Sequence, residues 1–322
     1  MKYKLFGTQT GLPASEIILG AANFGQHSGY GAEAGEIQKI LATYTDAGGN
    51  FIDISDQYQF GEAEKTVGQF IEHQRHNFIL CTKYTRSNEK SPLPANFGNH
   101  RKAMRQSVDS SLKRLKTDYI DIYMPHYDDG NTPLDEIIRG LEDLVSAGKI
   151  LYTGLANFPA WKAAAIASVI PLTALQIEYN LVQRSADREL LAMAEHFGLG
   201  TMLYSPLAGG LLTGKYRKGA TGRLTIIKPG GIAENETTGN ILDQLEAIAL
   251  EIDASLGQVA LAWTLTKNAF PIVGARTVDQ LTESLKALDM RLNEDQVARL
   301  ETASLITLGY PNDLLKSVQK SY

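Results

Sequence analysis

Short apolar runs alternate with amphipathic stretches along almost the whole chain. The runs are Ile17 to Ala21, Phe51 to Ile54, Phe78 to Thr82, Tyr119 to Met124, Ile150 to Leu155, Thr173 to Ile177, Thr201 to Tyr204 and Phe270 to Val273. They are continuous blocks, the pattern of strands buried on both faces. Between them lie Ala34 to Ala47, Glu62 to His73, His100 to Lys116, Leu134 to Ala147, Ala160 to Ile170, Asp187 to Phe197 and Asn240 to Asn268. In these, apolar residues recur at helical spacing, as Ala63, Val67, Phe70 and Ile71 do. Eight strand-helix units over this length predict an α/β fold in which a parallel sheet closes into a single (β/α)8 TIM barrel, one domain over residues 1–322. An open doubly wound sheet would be favoured by a GxGxxG turn after an early strand, and the sequence has none. Two long irregular stretches, Thr85 to Asn99 and Tyr216 to Gly239, are expected to be loops over the C-terminal mouth of the barrel, where they can act as lids.

Composition narrows the partners. With 43% hydrophobic residues, 21% charged residues and a net charge of -5, the chain has no basic excess to attract nucleic acid or anionic lipid. The N-terminal segment MKYKLFGTQTGL has no long apolar core, and no later run reaches membrane-spanning length, so a cytoplasmic location without a membrane partner is expected. One cysteine, Cys81, and six scattered histidines give neither a disulfide framework nor metal-ligand spacing, so no metal is expected. The oligomeric state stays open.

The candidate chemistry lies where the strands end. Asp53, Lys83, His126, Asn157, Gln176 and Tyr204 are polar residues that each follow or finish an apolar run. All strands of a parallel barrel end at one mouth, so these residues are expected to converge there. An ionised Asp53 at the end of a buried strand needs a partner, and Lys83 on the next strand supplies the cation. Tyr58 follows five residues after Asp53. Taken singly, each has a plain structural reading: an internal ion pair, a core histidine, one more partly buried aromatic. Together they form an acid-base set without an acyl-transfer nucleophile. A phenol beside an ammonium is expected to have its pKa lowered toward neutrality, while the histidine orients a substrate oxygen. That combination suits protonation of a carbonyl oxygen as hydride reaches carbon.

Several long stretches carry a family likeness: NFIDISDQYQFGEAEKTVG, FILCTK, SLKRLKTDYIDIYMPHYDD, AGKILYTGLANF, ALQIEYNL, YSPLAGGLLTGKY and QVALAWTLTKNAFPIVGARTVDQLTESL. In these, and in their order, the chain resembles the aldo-keto reductase family, notably its bacterial and fungal aldehyde and aryl-alcohol reductase-like members and the related potassium-channel beta subunits. The resemblance places the family's catalytic set on Asp53, Tyr58, Lys83 and His126. It implies NAD(P)H bound without a Rossmann fold, with Asn157 and Gln176 on the carboxamide, Tyr204 stacked on the nicotinamide, and Ser205, Pro206, Leu207, Ala208, Gly210 and Lys215 along the pyrophosphate, Arg223 nearby. Gly274, Arg276, Gln280, Glu283 and Ser284 would serve the adenosine end. Thr277 and Gln280 match a capping box there, and Arg276 suits a 2'-phosphate, so NADPH is expected over NADH, with NADH still possible. Three departures stand out: Ala156 where a serine is common, Ser284 for a frequent asparagine, and DIS for the usual DTA. The early turn LGAANFG lacks the common threonine, so contacts there are expected through the backbone of Ala21 and Ala22. Phe24, Tyr84, Tyr127 and Phe158, with Tyr58 and His126, are expected to line the pocket for a small carbonyl substrate. The leading expectation is NADPH-dependent reduction of aldehydes or ketones. The alternative is a nicotinamide-binding regulatory subunit that reports redox state to a protein partner.

Overall fold

In the computed structural model, which describes residues 1–227 and 234–319, the chain opens with a short antiparallel hairpin, β1 (Tyr3–Leu5) and β2 (Pro13–Ser15). Then follow β3 (Ile18–Gly20), α1 (Ala34–Asp46), β4 (Phe51–Asp53), α2 (Glu62–Ile71), β5 (Ile79–Tyr84) and α3 (Arg101–Leu115). The middle of the chain gives β6 (Ile120–Pro125), α4 (Leu134–Ser146), β7 (Ile150–Ala156), α5 (Ala160–Ala167), β8 (Leu172–Glu178), α6 (Leu190–His196) and β9 (Gly200–Tyr204). Last come α7 (Arg223–Ile227), α8 (Glu236–Glu251), α9 (Leu256–Leu265), β10 (Phe270–Gly274), α10 (Val278–Leu285), α11 (Glu294–Ala303) and α12 (Asn312–Gln319). Strands β3 to β10 pair in parallel, each with its sequence neighbour, and β10 returns to β3 to close the barrel. These are the eight expected strands in the expected order.

The sequence pattern explains the two layers of the core. Helix α4 buries Ile137, Ile138, Leu141 and Leu144 on one stripe, at the three- and four-residue spacing that places side chains on one face. Each such side chain contributes about 1.5–3 kcal/mol when fully buried. Along β5, side chains alternate. Ile79 and Cys81 enter the barrel interior with Phe51, Ile122, Met124 and Ala174, whereas Leu80 and Tyr84 pack outward against the helices. Lys83 therefore points inward, on the same side as Cys81.

Three features were not anticipated. The β1–β2 hairpin closes the N-terminal end of the barrel: Phe6 is fully buried, 5.3 Å from the Phe51 ring and 5.0 Å from that of Phe270. The expected single helix from Asn240 to Asn268 is two helices, bent by 97° after Glu251. The break is local chemistry. Asp253 is left-handed at φ 50°, and Ser255 opens α9 with a reciprocal capping box to Gln258. Finally, α11 and α12 extend the chain beyond the barrel, α11 held to α8 by Arg299 and Gln296 on Glu251. No single helix among the described residues is long and apolar enough to cross a membrane. The expected lid loop, Tyr216 to Gly239, lies partly outside the described residues.

Candidate active site

Asp53 and Lys83 are buried together at the ends of β4 and β5. Lys83 Nζ donates to Asp53 Oδ1 at 2.7 Å and to the Ile54 carbonyl at 2.6 Å. Burial alone would lower the ammonium's pKa, but the charges of Asp53 and its neighbours outweigh that and raise it, so Lys83 is a fixed cation. Gln176 Nε2, from β8 across the barrel, donates to the same Asp53 oxygen at 2.8 Å. The carboxylate thus holds one cation and one amide in place.

Tyr58 sits in a tight turn after β4, and its ring centroid is 5.2 Å from Lys83 Nζ. The turn carries two successive left-handed residues, Gln59 (φ 52°) and Phe60 (φ 56°), a conformation costing about 1–2 kcal/mol for each non-glycine residue. Gln59 holds it closed: its Nε2 donates to the carbonyls of Ala22 and Tyr30, and its Oε1 accepts from the Ser28 N–H. Other left-handed non-glycine residues, Thr85, Asn157 and Ser205, also lie just past strand ends. Backbone strain of this kind gathers where a site is being shaped.

Here the expectation for Tyr58 is corrected. Burial raises its phenol pKa, and the opposing charge of Lys83 does not reverse the shift, so the group keeps its proton at neutral pH. His126, after β6, packs edge-on to Tyr58 with 5.7 Å between ring centroids. Burial, reinforced by the charges of Lys83 and Arg86, lowers its pKa to about 3, so the imidazole is neutral. Its Nδ1 lies 3.1 Å from Ser55 Oγ and 3.3 Å from Gln57 Nε2. Both neighbours can donate, and an Nδ1 that accepts leaves the proton on Nε2.

The cofactor candidates divide. Asn157, left-handed at φ 55°, accepts from Tyr204 Oη at 2.9 Å and donates to the His126 carbonyl at 2.9 Å. It therefore joins β7, β9 and the His126 turn at the mouth. Burial raises the Tyr204 phenol to about 12. Beyond β9, Ser205, Pro206, Leu207 and Ala208 lead into Gly209 and Gly210, both left-handed. Lys215 folds back between glycines: a Cβ on Gly210 or Gly222 would lie 2.8 or 2.7 Å from its Nζ. The ammonium has no carboxylate partner among the described residues. A cradle of backbone and one uncompensated cation fits an anionic diphosphate. Arg223 opens α7 and is exposed, its charge acting on Glu178.

At the adenosine end, the Arg276 guanidinium lies 4.2 Å over the Tyr30 ring, beside the solvent-exposed Gly274. Thr277 caps α10, but Gln280 Oε1 accepts from the Arg276 N–H, not from Thr277, so the expected reciprocal box does not form. Glu283 pairs with Lys286 at 3.4 Å, and Ser284 Oγ donates to the Gln280 carbonyl.

Some expectations fail on burial and direction. Tyr84 is fully buried and stacks on Tyr123 at 5.2 Å, because its place next to Lys83 on β5 turns it to the opposite face. Phe24 and Phe158 are likewise buried, within the large apolar cluster that also holds Tyr84. None of the three is exposed at the mouth. Tyr127 remains, half-buried and 6.2 Å from the His126 ring. Ala21 spends its N–H on the Asp53 carbonyl and its C=O on Phe24, and the Ala22 carbonyl accepts from Gln59. Ser55, the last residue of the DIS departure, is buried together with Asp56 and Gln59, and three polar residues within one turn are a recognisable signal of a site.

Norsolorinic acid reductase A of Aspergillus parasiticus is 31% identical, with 99% of this chain and 86% of that protein covered. The aryl-alcohol dehydrogenase [NADP(+)] of Phanerodontia chrysosporium is 34% identical, with 94% and 85% covered. The aldo/keto reductase family profile matches residues 16–304. The chain therefore belongs to the aldo/keto reductase family, nicotinamide-dependent oxidoreductases that act on carbonyl and alcohol groups.

Proposed function

We propose that the protein reduces aldehydes or ketones to alcohols with NADPH, and that Tyr58 is the proton donor. The observation that carries this reading is the neutral Tyr58 phenol set between the Lys83–Asp53 ion pair and the neutral His126 ring. Bound NADPH supplies hydride to the carbonyl carbon. Everything else falls to the protein. His126 Nε2–H donates to the carbonyl oxygen and orients it. Tyr58 Oη holds the proton that this oxygen takes as it becomes an alcohol oxygen, and Lys83 stabilises the phenolate left behind. Asp53 and Gln176 keep the ammonium in place. Lys215 would hold the diphosphate and Arg276 the 2'-phosphate, in keeping with the NADP(+) in the name of the Phanerodontia relative. That relative's name also points to aryl aldehydes and aryl alcohols as the first substrates to try. The half-buried Tyr127 at the mouth offers an aromatic surface for them.

The test follows loss of reduced-nicotinamide absorbance with a panel of aryl aldehydes and ketones, for wild type and Tyr58→Phe. Turnover that falls by about 10²–10⁴ in the variant, with NADPH binding retained, is the expected result. NADPH binding without turnover of any carbonyl by the wild type would overturn it and favour a regulatory role.

A further inference from the structure

Asp56 is a buried acid for which the proposed chemistry has no use. Its residue is 2% exposed, yet no cation lies within ion-pair distance among the described residues. The nearby Arg114 of α3 is taken by Glu64 of α2 at 2.6 Å, and Glu64 also accepts from Thr82. On the β5 side, Lys83 is committed to Asp53 and the Ile54 carbonyl. Tyr123 of β6 and Tyr127 beyond it also face Asp56, and the His126 ring lies on the far side of Ser55. The side-chain hydrogen bond of Asp56 comes from Ser55 Oγ, 3.3 Å from Oδ1. That same Ser55 Oγ is 3.1 Å from His126 Nδ1. Ser55 is fully buried, so no bulk water competes for its hydroxyl.

A hydroxyl carries one proton and can give it to only one of these neighbours at a time. With Asp56 protonated, the acid can donate to Ser55 Oγ, and Ser55 donates to His126 Nδ1. The imidazole proton is then held on Nε2, facing the mouth. With Asp56 ionised, the charge-assisted bond draws the Ser55 proton toward the carboxylate. Ser55 Oγ then presents lone pairs to Nδ1, which favours the tautomer with the proton on Nδ1 and leaves Nε2 bare. Gln57 Nε2 opposes that change but is farther, at 3.3 Å.

We propose that Asp56 is a positioning residue that sets the His126 tautomer through Ser55, so that His126 offers a hydrogen-bond donor to the substrate oxygen only while Asp56 is protonated. This rests on the reading of the mouth as a carbonyl-reducing site. Burial, with the charge of Glu64 added and that of Arg114 opposing, raises the Asp56 carboxyl to about 7. The switch therefore falls in the neutral range, where neither the His126 ring, with its pKa near 3, nor the Tyr58 phenol, with its pKa raised from 10, changes charge.

The experiment is nitrogen NMR of the protein labelled in its histidine side chains, with the His126→Gln spectrum assigning the signals. The wild type should pass from the Nε2–H to the Nδ1–H pattern between about pH 6 and about pH 8, the range over which a near-neutral acid titrates. Asp56→Asn should hold the Nε2–H pattern throughout, because its amide donates to Ser55 as the protonated acid does. Ser55→Ala should also abolish the transition, which covers the case of an Asp56 variant that does not fold. In parallel, wild-type kcat for carbonyl reduction should fall about five- to tenfold over the same range, the worth of one hydrogen bond, and Asp56→Asn should be flat. A wild-type tautomer that does not change, or a transition that survives in Asp56→Asn or Ser55→Ala, would overturn the proposal. The NMR readout needs no turnover, so it stands apart from failure of the carbonyl-reductase reading.

Discussion

Replacing Lys83 by Met removes the only cation among the described residues that touches Asp53 and leaves the rest of the barrel interior in place. In the wild type, Nζ is fully buried and makes two short hydrogen bonds, 2.7 Å to the carboxylate and 2.6 Å to the Ile54 carbonyl. Methionine fills most of the volume but donates nothing, so Asp53 keeps the Gln176 amide but loses its cation. Breaking one half of a buried ion pair costs about 3–5 kcal/mol, chiefly because the remaining charge is stranded away from water. Urea unfolding of wild type, Lys83→Met and Lys83→Met/Asp53→Asn at mildly basic pH measures that cost and its recovery. The double variant should recover most of the loss, since it buries no ion. A single variant within about 1 kcal/mol of wild type at basic pH, or a double variant no better than the single, would refute the view that Lys83 is there to compensate a buried charge.

Other consequences are simpler to read. His126 should remain neutral in the folded protein well below the usual histidine range, because burial and Lys83 hold it to about 3; nitrogen NMR at about pH 5 that showed an imidazolium would contradict the site geometry. For the same reason His126 weakens the fold as pH drops from about 6.5 toward that value, where the unfolded chain binds the extra proton. Arg276→Ala should weaken binding of NADPH by about tenfold while changing NADH little, measured by fluorescence titration, and an equal loss for both cofactors would show that the guanidinium acts on the adenosine alone. Ser255→Ala should cost about 1 kcal/mol in urea unfolding by removing the cap that starts α9 after the bend, and Ser255→Thr should restore most of it.

Much of this architecture is written in local pattern. Continuous apolar runs separated by amphipathic stretches specify strands buried on both faces, and a parallel barrel forces all their polar ends to one mouth. Asp53, Lys83, His126, Asn157, Gln176 and Tyr204 were for that reason identifiable as one group before any contact was known. Even the failure of Tyr84 as a pocket residue follows from period two, since it adjoins the inward-facing Lys83. The helix break was also legible in Ser255 and Gln258, though the apolar run across it concealed the cap.

What the sequence by itself determined, then, is the order of elements and the set of side chains carried to the mouth, because both depend on residue spacing along the chain. The tertiary structure alone decided how those side chains are engaged and charged. Gln176 crosses the barrel to Asp53, Asn157 is tied to Tyr204, and Arg114 goes to Glu64 and leaves Asp56 without an ion-paired cation among the described residues. The neutral Tyr58 belongs with these: its pKa depends on the total water excluded around the phenol, and that burial outweighs the one nearby ammonium that sequence neighbourhood reveals. Desolvation sums over every residue packed against a group, most of them remote in sequence, and no spacing rule reports that sum.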